Sequence, residues 1–469
     1  MTKVKASSKV LNEPLNFKAA EQAMESWMES HPHEVIRQRM QFLEKLNKKR
    51  CSYGENTALP ITLTPLFLKD ESQKLIARVA EILERAMDKV IVAYKHDQRV
   101  RDYFLYTDIP EEWIDWDPGF KKPTVINRHD ALFDGKNLKF IEFNTDNPGG
   151  RGWTGVYEKL FTEQDFCRDL IQNYVNENRP HLLQLFLDSL LSCYREYGGT
   201  AERPRIGLAS YKQYLTGSDA EIVRDFCIEK GFESHFVDPR ELEHRSGRLY
   251  SNNVPFDIIN LSIRFVFFKR YPRELREFLA AIRERSVCTV NPFRAIIGSQ
   301  KEIMSLMTNS ENHDLFDEEE IEAIKEHIPW TRKLDETITL SPEGTDISLH
   351  EYLLKHRETM VLKPTGGAGG QGVYVGKITD KAQWEQAVEH TMGSSWWIAQ
   401  EAMDIPEYEF PVLKDGKVIR EKRNLNINPY VFNGKYAGML GRVSSSKVVN
   451  VSSGGGLIPI FPLKPGVTE

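Results

Sequence analysis

The chain has 469 residues, 40% of them hydrophobic and 28% charged, a balance that supports a sizeable core and excludes wholesale disorder and fibrous or collagen-like architectures. At typical domain sizes this length corresponds to about three compact units, or to one large enzyme with inserted subdomains. Lys and Arg total 62 against 68 Asp and Glu, a net charge of −6, so no global positive field gathers nucleic acid or anionic lipid.

The opening MTKVKASSKVLNEPLNF carries positive charge without an apolar segment behind it, unlike a secretory signal. No stretch approaches the roughly 20 apolar residues of a membrane span, so no membrane partner is expected and a reducing cytoplasm is the expected location. Cys51, Cys167, Cys193, Cys227 and Cys288 stand far apart with no C-x-x-C pair. They read as reduced, buried thiols rather than a zinc site or disulfide framework. From Pro14 to about Arg50 the pattern is helical and strongly charged, and the closing LNKKRC reads as a solvated helix end whose cations oppose the dipole. His31 and His33 lack further ligands nearby and read as a surface pair. Residues 70–97 predict a long amphipathic helix on Leu75, Ile76, Val79, Ile82 and Leu83.

Residues 124–150 change character. Two β-prone runs flank Asp134-Gly135-Lys136-Asn137, a hairpin signal. A helix is expected over 181–195, stopping at Gly198-Gly199. Between Pro204 and Pro292, RIGLAS, ESHFVD, FDIINLSI and CTVNP alternate with helices starting at Ser218 and near Arg273. Ser218 and Glu221 have capping-box spacing, and Gly231 sits where that helix should end. This order implies a Rossmann-like parallel sheet. The acidic stretch 311–326 is expected at the surface as helix or loop. Beyond it ETMVLKP, GVYVGKI, WWIAQEAM, NLNINPYVF and YAGMLGRVS predict one antiparallel sheet with helical cover, and Trp396-Trp397 is expected in the core.

Two segments carry chemistry. In VLKPTGGAGGQGVYVG, residues 361–376, Gly367, Gly369 and Gly372 satisfy G-x-G-x-x-G. A dinucleotide fingerprint needs a helix directly after the glycines, whereas Val373, Tyr374 and Val375 continue as strand. Strand, flexible loop and strand is the better reading: glycines let backbone N–H groups approach a triphosphate, and Lys363 supplies fixed charge. An ordinary glycine-rich hairpin is the bland alternative. In the earlier hairpin, Arg128 and Asp130 share one face of the first strand, as do Glu142 and Asn144 on the second. Two carboxylates and an amide oxygen are hard ligands suited to Mg²⁺, and a nearby arginine can offset charge on a phosphoryl group. Here a surface hairpin with ordinary ion pairs is the alternative. Gly454 to Gly456 read equally as a tight turn near the site or a loop before a strand. No Walker A, H-E-x-x-H or G-x-S-x-G pattern is present, which disfavours P-loop ATPases, zinc proteases and serine hydrolases.

R-x-D and E-x-N lie twelve residues apart, from Asp130 to Glu142, and precede NPFRAIIGSQKEIMSLM, VLKPTGGAGGQGVYVG, WIAQEAMDIPEY and GRVSSSKVVNVSSGGGLIPIF. In this order, from about residue 100 to the C-terminus, the chain resembles the circularly permuted ATP-grasp ligases, such as the glutathionylspermidine synthetase domain. The resemblance implies an α/β (α+β) chain: a circularly permuted ATP-grasp fold with an inserted Rossmann-like parallel-sheet subdomain and N-terminal helices. The expected divisions are an N-terminal helical region to 100, a metal-binding part over 101–200, the Rossmann-like unit over 201–295, and a nucleotide-binding lobe with return strands over 296–469. The resemblance further implies that Asp130, Glu142 and Asn144 hold two Mg²⁺ ions and that Lys301 and Lys363 contact ATP phosphates. Gly366 to Gly372, including Gly367, Gly369 and Gly370, would form the lid, and Gln400 and Glu401 the adenine hinge. Arg128 would stabilise the transferred phosphoryl group, and Arg442 would meet phosphate or acyl phosphate.

The first 127 residues contain no recognisable Cys-His amidase module. The loop TDNPGGRGW differs from relatives that have an acidic residue followed by Thr-Pro, so a polyamine acceptor is not implied. The expected activity joins a small-molecule carboxylate, such as an amino acid or peptide, to an amine through an acyl phosphate. A small-molecule kinase and a nucleotide-binding module without catalysis are the alternatives. Specificity is expected from irregular loops around Arg151, Tyr211 to Gly217 and Arg264.

Overall fold

The computed structural model describes residues 18–49, 51–53, 57–58, 62–104, 109–211, 218–366, 372–414, 417–445, 449 and 455–467. Helices Lys18–Ser30 and Pro32–Lys48 bury Met24, Met28, Val35 and Phe42. Phe42 meets Phe161 and Tyr157, with ring centroids 5.1 and 6.2 Å apart. The charged helices are thereby anchored through one apolar face each. All five cysteines are buried and free, and His31 stacks on Trp27.

A central antiparallel sheet organises the molecule. Its strands run in the order Gly456–Ile458, Lys435–Ser444, Lys417–Phe432, Ile126–Phe133, Leu138–Asn144, and Glu407–Lys414 pairs with the outer half of Lys417–Phe432. The expected hairpin is there, but its first strand zips onto a strand some 300 positions later, Tyr430 opposite Arg128 and Ile427 opposite Ala131. Helix Asp70–Ala93 covers the back of this sheet with Ile76, Val79, Ala80, Leu83, Met87 and Val90, all buried at helical spacing. The helix ends at Ala93, short of the expected 97.

The alternation between 204 and 292 produces four parallel strands, ordered Cys288–Val290, Ile258–Leu261, Ile206–Ala209, Ser234–Val237. A small antiparallel meander, Glu243–Arg245, Arg248–Ser251 and Val254–Phe256, interrupts them. Gly231 at φ +85 ends helix Ser218–Glu229, whereas the Ser218 side chain lies outside the described residues. The buried Asn291 amide ties this unit to the hairpin. Its oxygen accepts from the Val125 and Ile126 amides at 3.1 and 2.8 Å, and its nitrogen donates to the Ile126 and Thr145 carbonyls at 2.9 and 2.8 Å. Every polar atom of the buried side chain is satisfied.

The strand segments expected to make a single sheet in the last third fall into two. Thr331–Lys333, Trp397–Glu401, Met360–Pro364 and Tyr374–Val375 make a small antiparallel sheet, while the later strands join the hairpin. The two groups serve separate cores: Trp330, Leu349, Leu353, Met360, Leu362 and Trp384 cluster under the small sheet, each large side chain there contributing about 1.5–3 kcal/mol by burial. GVYVGKI shrinks to the two-residue strand Tyr374–Val375. Trp396 also departs from the core position expected of it. It is 38% exposed because it precedes the strand, and only Trp397 packs inward, 5.9 Å from the Tyr374 ring. The acidic stretch yields helix Glu318–His327, capped by Asp317 and Glu320. It is not wholly a surface element, for Glu320 is buried against Lys89 at 2.6 Å. Among the described residues no helix is long and apolar enough to cross a membrane.

Candidate active site

Strand alternation decides which side chains meet where the acidic hairpin and the smaller antiparallel sheet approach one another. The hairpin register sets Asp130 opposite Glu142 and Arg128 opposite Asn144, so the four expected side chains share one wall. Asn144 Nδ2 donates to Asp130 Oδ1 at 3.0 Å, and Arg128 Nε lies 3.7 Å from the same oxygen. Arg442, two strands away on Lys435–Ser444, donates to Asp130 Oδ2 at 3.1 Å. Burial lowers the Arg442 pKa and Arg128 adds to the fall, with Asp130 opposing. Burial also works against the Arg128 charge, yet Asp130, Tyr430 and Glu142 together hold its pKa above the ordinary guanidinium value.

The opposite wall comes from Lys363, near the end of Met360–Pro364, and Lys301, which precedes helix Glu302–Thr308. Lys301 Nζ lies 3.0 Å from Glu142 Oε1, and its amide donates to the Thr365 carbonyl at 3.3 Å. Burial pushes the Lys363 ammonium down to about 8; Glu142 and Asp130 oppose that fall and Lys301 reinforces it. For Glu142 the balance is reversed: burial raises its pKa, but Lys301, Lys363 and Arg264 pull it below the usual carboxylate value. The acidic hairpin and both lysines therefore act on one another.

Gln400 is buried on the small sheet and accepts from Lys363 Nζ at 2.6 Å while donating to Thr331 Oγ1 at 3.0 Å. It orients the lysine. Glu401, next on the strand, instead lies in electrostatic reach of Tyr352, so the two residues expected together face different ways. Gly366 lies in the turn that Thr365 begins after the first strand, and Gly372 has φ +72, where a side chain would be strained. Gly367, Gly369 and Gly370 lie outside the described residues, as does Gly454. Gly456 opens the strand beside Arg442, whose partner in the ladder is Leu457.

Several contributors escaped the sequence reading. Asn426, Asn428 and Tyr430 line the strand between Arg442 and the hairpin. Asn428 Nδ2 donates to Asn426 Oδ1 at 3.0 Å and to the Leu440 carbonyl at 2.9 Å. The Tyr430 hydroxyl and Arg128 Nη1 both donate to the Gly149 carbonyl, at 3.0 and 2.8 Å. The signal was available: NLNINPY alternates asparagine with Leu425 and Ile427, which face the core. Thr331 and Glu84 left no comparable pattern, whereas Arg264 falls on one of the irregular loops expected to set specificity. Arg264 Nε lies 3.4 Å from Asp146 Oδ2. Arg151 is buried over the Phe186 ring at 4.7 Å and donates to the Pro148 carbonyl at 2.8 Å, while 212–217 lie outside the described residues.

Among the described residues no three His, Cys, Asp or Glu side chains converge as a metal cage. Asp130, Glu142 and the Asn144 amide instead offer two carboxylates and one neutral oxygen. That donor set suits Mg²⁺, which binds through one or two carboxylates with phosphate and water completing its shell.

No family model and no curated protein matches the chain. Solved structures do. A glutathione synthetase-like effector from Globodera pallida in its apo form matches with a TM-score of 0.56 at 11% identity, over 92% of this chain and 96% of that one. A protein assigned as a gamma-glutamylcysteine synthetase from Methylobacillus flagellatus scores 0.40 at 13% identity over 81% and 88%. D-alanyl-alanine synthetase A from Vibrio cholerae scores 0.28 at 15% identity over 48% and 68%. These two scores are too low to bear on the architecture. The likeness to the Globodera protein concerns the fold alone: this chain shares the overall fold of a glutathione synthetase-like protein.

Proposed function

We propose that the protein is an ATP- and Mg²⁺-dependent ligase that joins a small-molecule carboxylate to an amine. The observation that carries this reading is the 3.0 Å contact of Lys301 Nζ with Glu142 Oε1, which joins the acidic hairpin to the strand end that carries Lys363 and leads into the glycines, where the Lys301 amide meets the Thr365 carbonyl at 3.3 Å. The fold shared with a glutathione synthetase-like protein supports it. The acidic hairpin precedes both lysines in sequence, the order of the circularly permuted ATP-grasp subgroup. On this reading residues 1–100 are scaffold and 101–200 hold the metal. Residues 201–295 are an inserted Rossmann-like unit that lines the substrate side, and 296–469 bind nucleotide and return to the central sheet.

Lys301 and Lys363 would hold the triphosphate, with Gln400 keeping Lys363 aimed. Asp130, Glu142 and Asn144 would hold Mg²⁺, which when bound supplies charge neutralisation at the phosphates. Arg128 and Arg442 would stabilise the equatorial oxygens of the phosphoryl group in transit. A carboxylate oxygen of the substrate forms the new bond to the γ-phosphorus as the bond to ADP breaks. The amine then attacks the acyl carbon, inorganic phosphate leaves, and the amine releases its proton. Gly366 to Gly372, as a lid, would keep water from the activated acyl group. No covalent bond to the protein is needed, because positioning and electrostatics carry such transfers.

The test is hydroxylamine trapping in the presence of ATP, Mg²⁺ and pooled amino acids, short peptides and amines. A hydroxamate together with ADP is the expected result. A stable phosphorylated product would instead identify a kinase, and absence of Mg²⁺-dependent ADP release across the pool would identify a binding module.

A further inference from the structure

The strand that carries Arg128 and Asp130 has a second face. Asn127 and His129, interleaved with them, are fully buried there, and both bind Glu84 of helix Asp70–Ala93, itself fully buried. Asn127 Nδ2 donates to Glu84 Oε1 at 2.5 Å, and the Thr124 hydroxyl lies 2.8 Å from the same oxygen. His129 Nε2 pairs with Oε2 at 2.9 Å. The Thr124 hydroxyl also lies 3.0 Å from Asp88, which pairs with Lys122. One carboxylate thus grips the strand and its lead-in with both oxygens.

Burying a carboxylate costs on the order of several kcal/mol in lost hydration, and a well-packed apolar residue would serve the core at least as well. Apolar packing does not supply direction, however. Leucine contacts tolerate a small slip or rotation of a strand, whereas three hydrogen bonds to fixed partners do not. Because side chains alternate across a strand, any rotation at 127 and 129 reappears at 128 and 130 through the stiff backbone. The grip falls where definition is otherwise weakest: the hairpin ladder shifts register between Asp130 and Ala131, an irregularity that re-aims a side chain.

We propose that Glu84 is a positioning residue which, through Asn127 and His129, sets the aim of Arg128 and Asp130 and thereby the divalent-metal affinity of the hairpin. This inference rests on the reading of the hairpin as a metal site.

The test titrates Mn²⁺ against the full chain by electron paramagnetic resonance at saturating non-hydrolysable ATP analogue, for wild type and Glu84→Gln. Thermal midpoints and ADP affinity in EDTA are measured in parallel. The expected result is at least fivefold weaker Mn²⁺ binding, with ADP affinity unchanged within twofold, because Lys301, Lys363 and Gln400 stand on other elements. Mn²⁺ affinity within twofold of wild type overturns the proposal. So does a parallel loss of Mn²⁺ and ADP binding, which marks general damage. Should Glu84→Gln fail to fold, His129→Asn, which withdraws one of the three bonds, is expected to weaken Mn²⁺ at least threefold with ADP affinity retained, and an unchanged value refutes the idea. A wild type that binds no Mn²⁺ beside the analogue removes the metal-site reading itself, a result distinct from equal binding by both proteins.

Discussion

Lys363 gives the sharpest handle on the proposed nucleotide site, and pH is the perturbation. Burial holds its ammonium at about 8, so raising the pH from 7 to 9 discharges it in the free protein. A triphosphate beside it favours the charged form, and binding must then draw a proton in. The lysine is depressed in the fold, so the stability it contributes is present above the ordinary lysine value and is lost as pH falls through about 8. Nucleotide binding runs the other way and weakens above that point. If the bound lysine returns to its ordinary range, the apparent Kd scales with the free-protein titration: about 1.1-fold at pH 7, about 2-fold at pH 8 and about 11-fold at pH 9. That is a weakening of about tenfold across the range, or about 1.4 kcal/mol. At pH 8 about half a proton should be taken up per nucleotide. Calorimetric titration with a non-hydrolysable ATP analogue and Mg²⁺, in two buffers of different ionisation enthalpy, reads both quantities. Lys363→Met should bind more weakly and lose the pH dependence. A wild-type affinity constant within twofold from pH 7 to 9, with no proton uptake at pH 8, would refute the reasoning.

Other consequences are equally direct. Asp130→Asn leaves Arg442 and Arg128 without the carboxylate they share; a coupled assay should show Mg²⁺-dependent ADP formation falling more than about 100-fold, and melting should show a loss of about 3 kcal/mol. Gln400→Leu removes the acceptor that aims Lys363 and should raise the KM for ATP about three- to tenfold with a smaller change in kcat. Glu302 is fully buried, and burial raises its carboxyl to about 8 from 4.5. The stability this provides is present below about 4.5 and lost as pH rises through about 8. Glu302→Gln, which mimics the protonated form, should therefore melt like wild type near pH 4 and be more stable at pH 8 by on the order of 4 kcal/mol; equal melting midpoints at pH 8 would count against it.

The resemblance in motif order and the individual elements came from local signals. Asp134 to Asn137 announced a hairpin because turn chemistry is a property of adjacent residues. Arg128 with Asp130, and Glu142 with Asn144, could be put on common faces because strand periodicity is local too. Gly231 marked a helix end for the same reason. Trp396 was misjudged because a tryptophan pair says nothing about which member enters the strand, and only the sheet edge decides that.

By itself the sequence determined which residues share a face, where turns and helix ends fall, and that carboxylates, arginines and lysines of complementary chemistry exist in the chain. Tertiary structure alone decided which strands are neighbours. Nothing local pairs Tyr430 with Arg128 or brings Arg442 to Asp130, because such pairing depends on burying apolar faces contributed by distant segments. The same holds for Gln400 on Lys363 and Glu84 behind His129. Each is a single polar side chain with no periodic signature, whose partner is chosen by the packing of a helix or sheet against another, and a one-dimensional pattern carries no record of that distance.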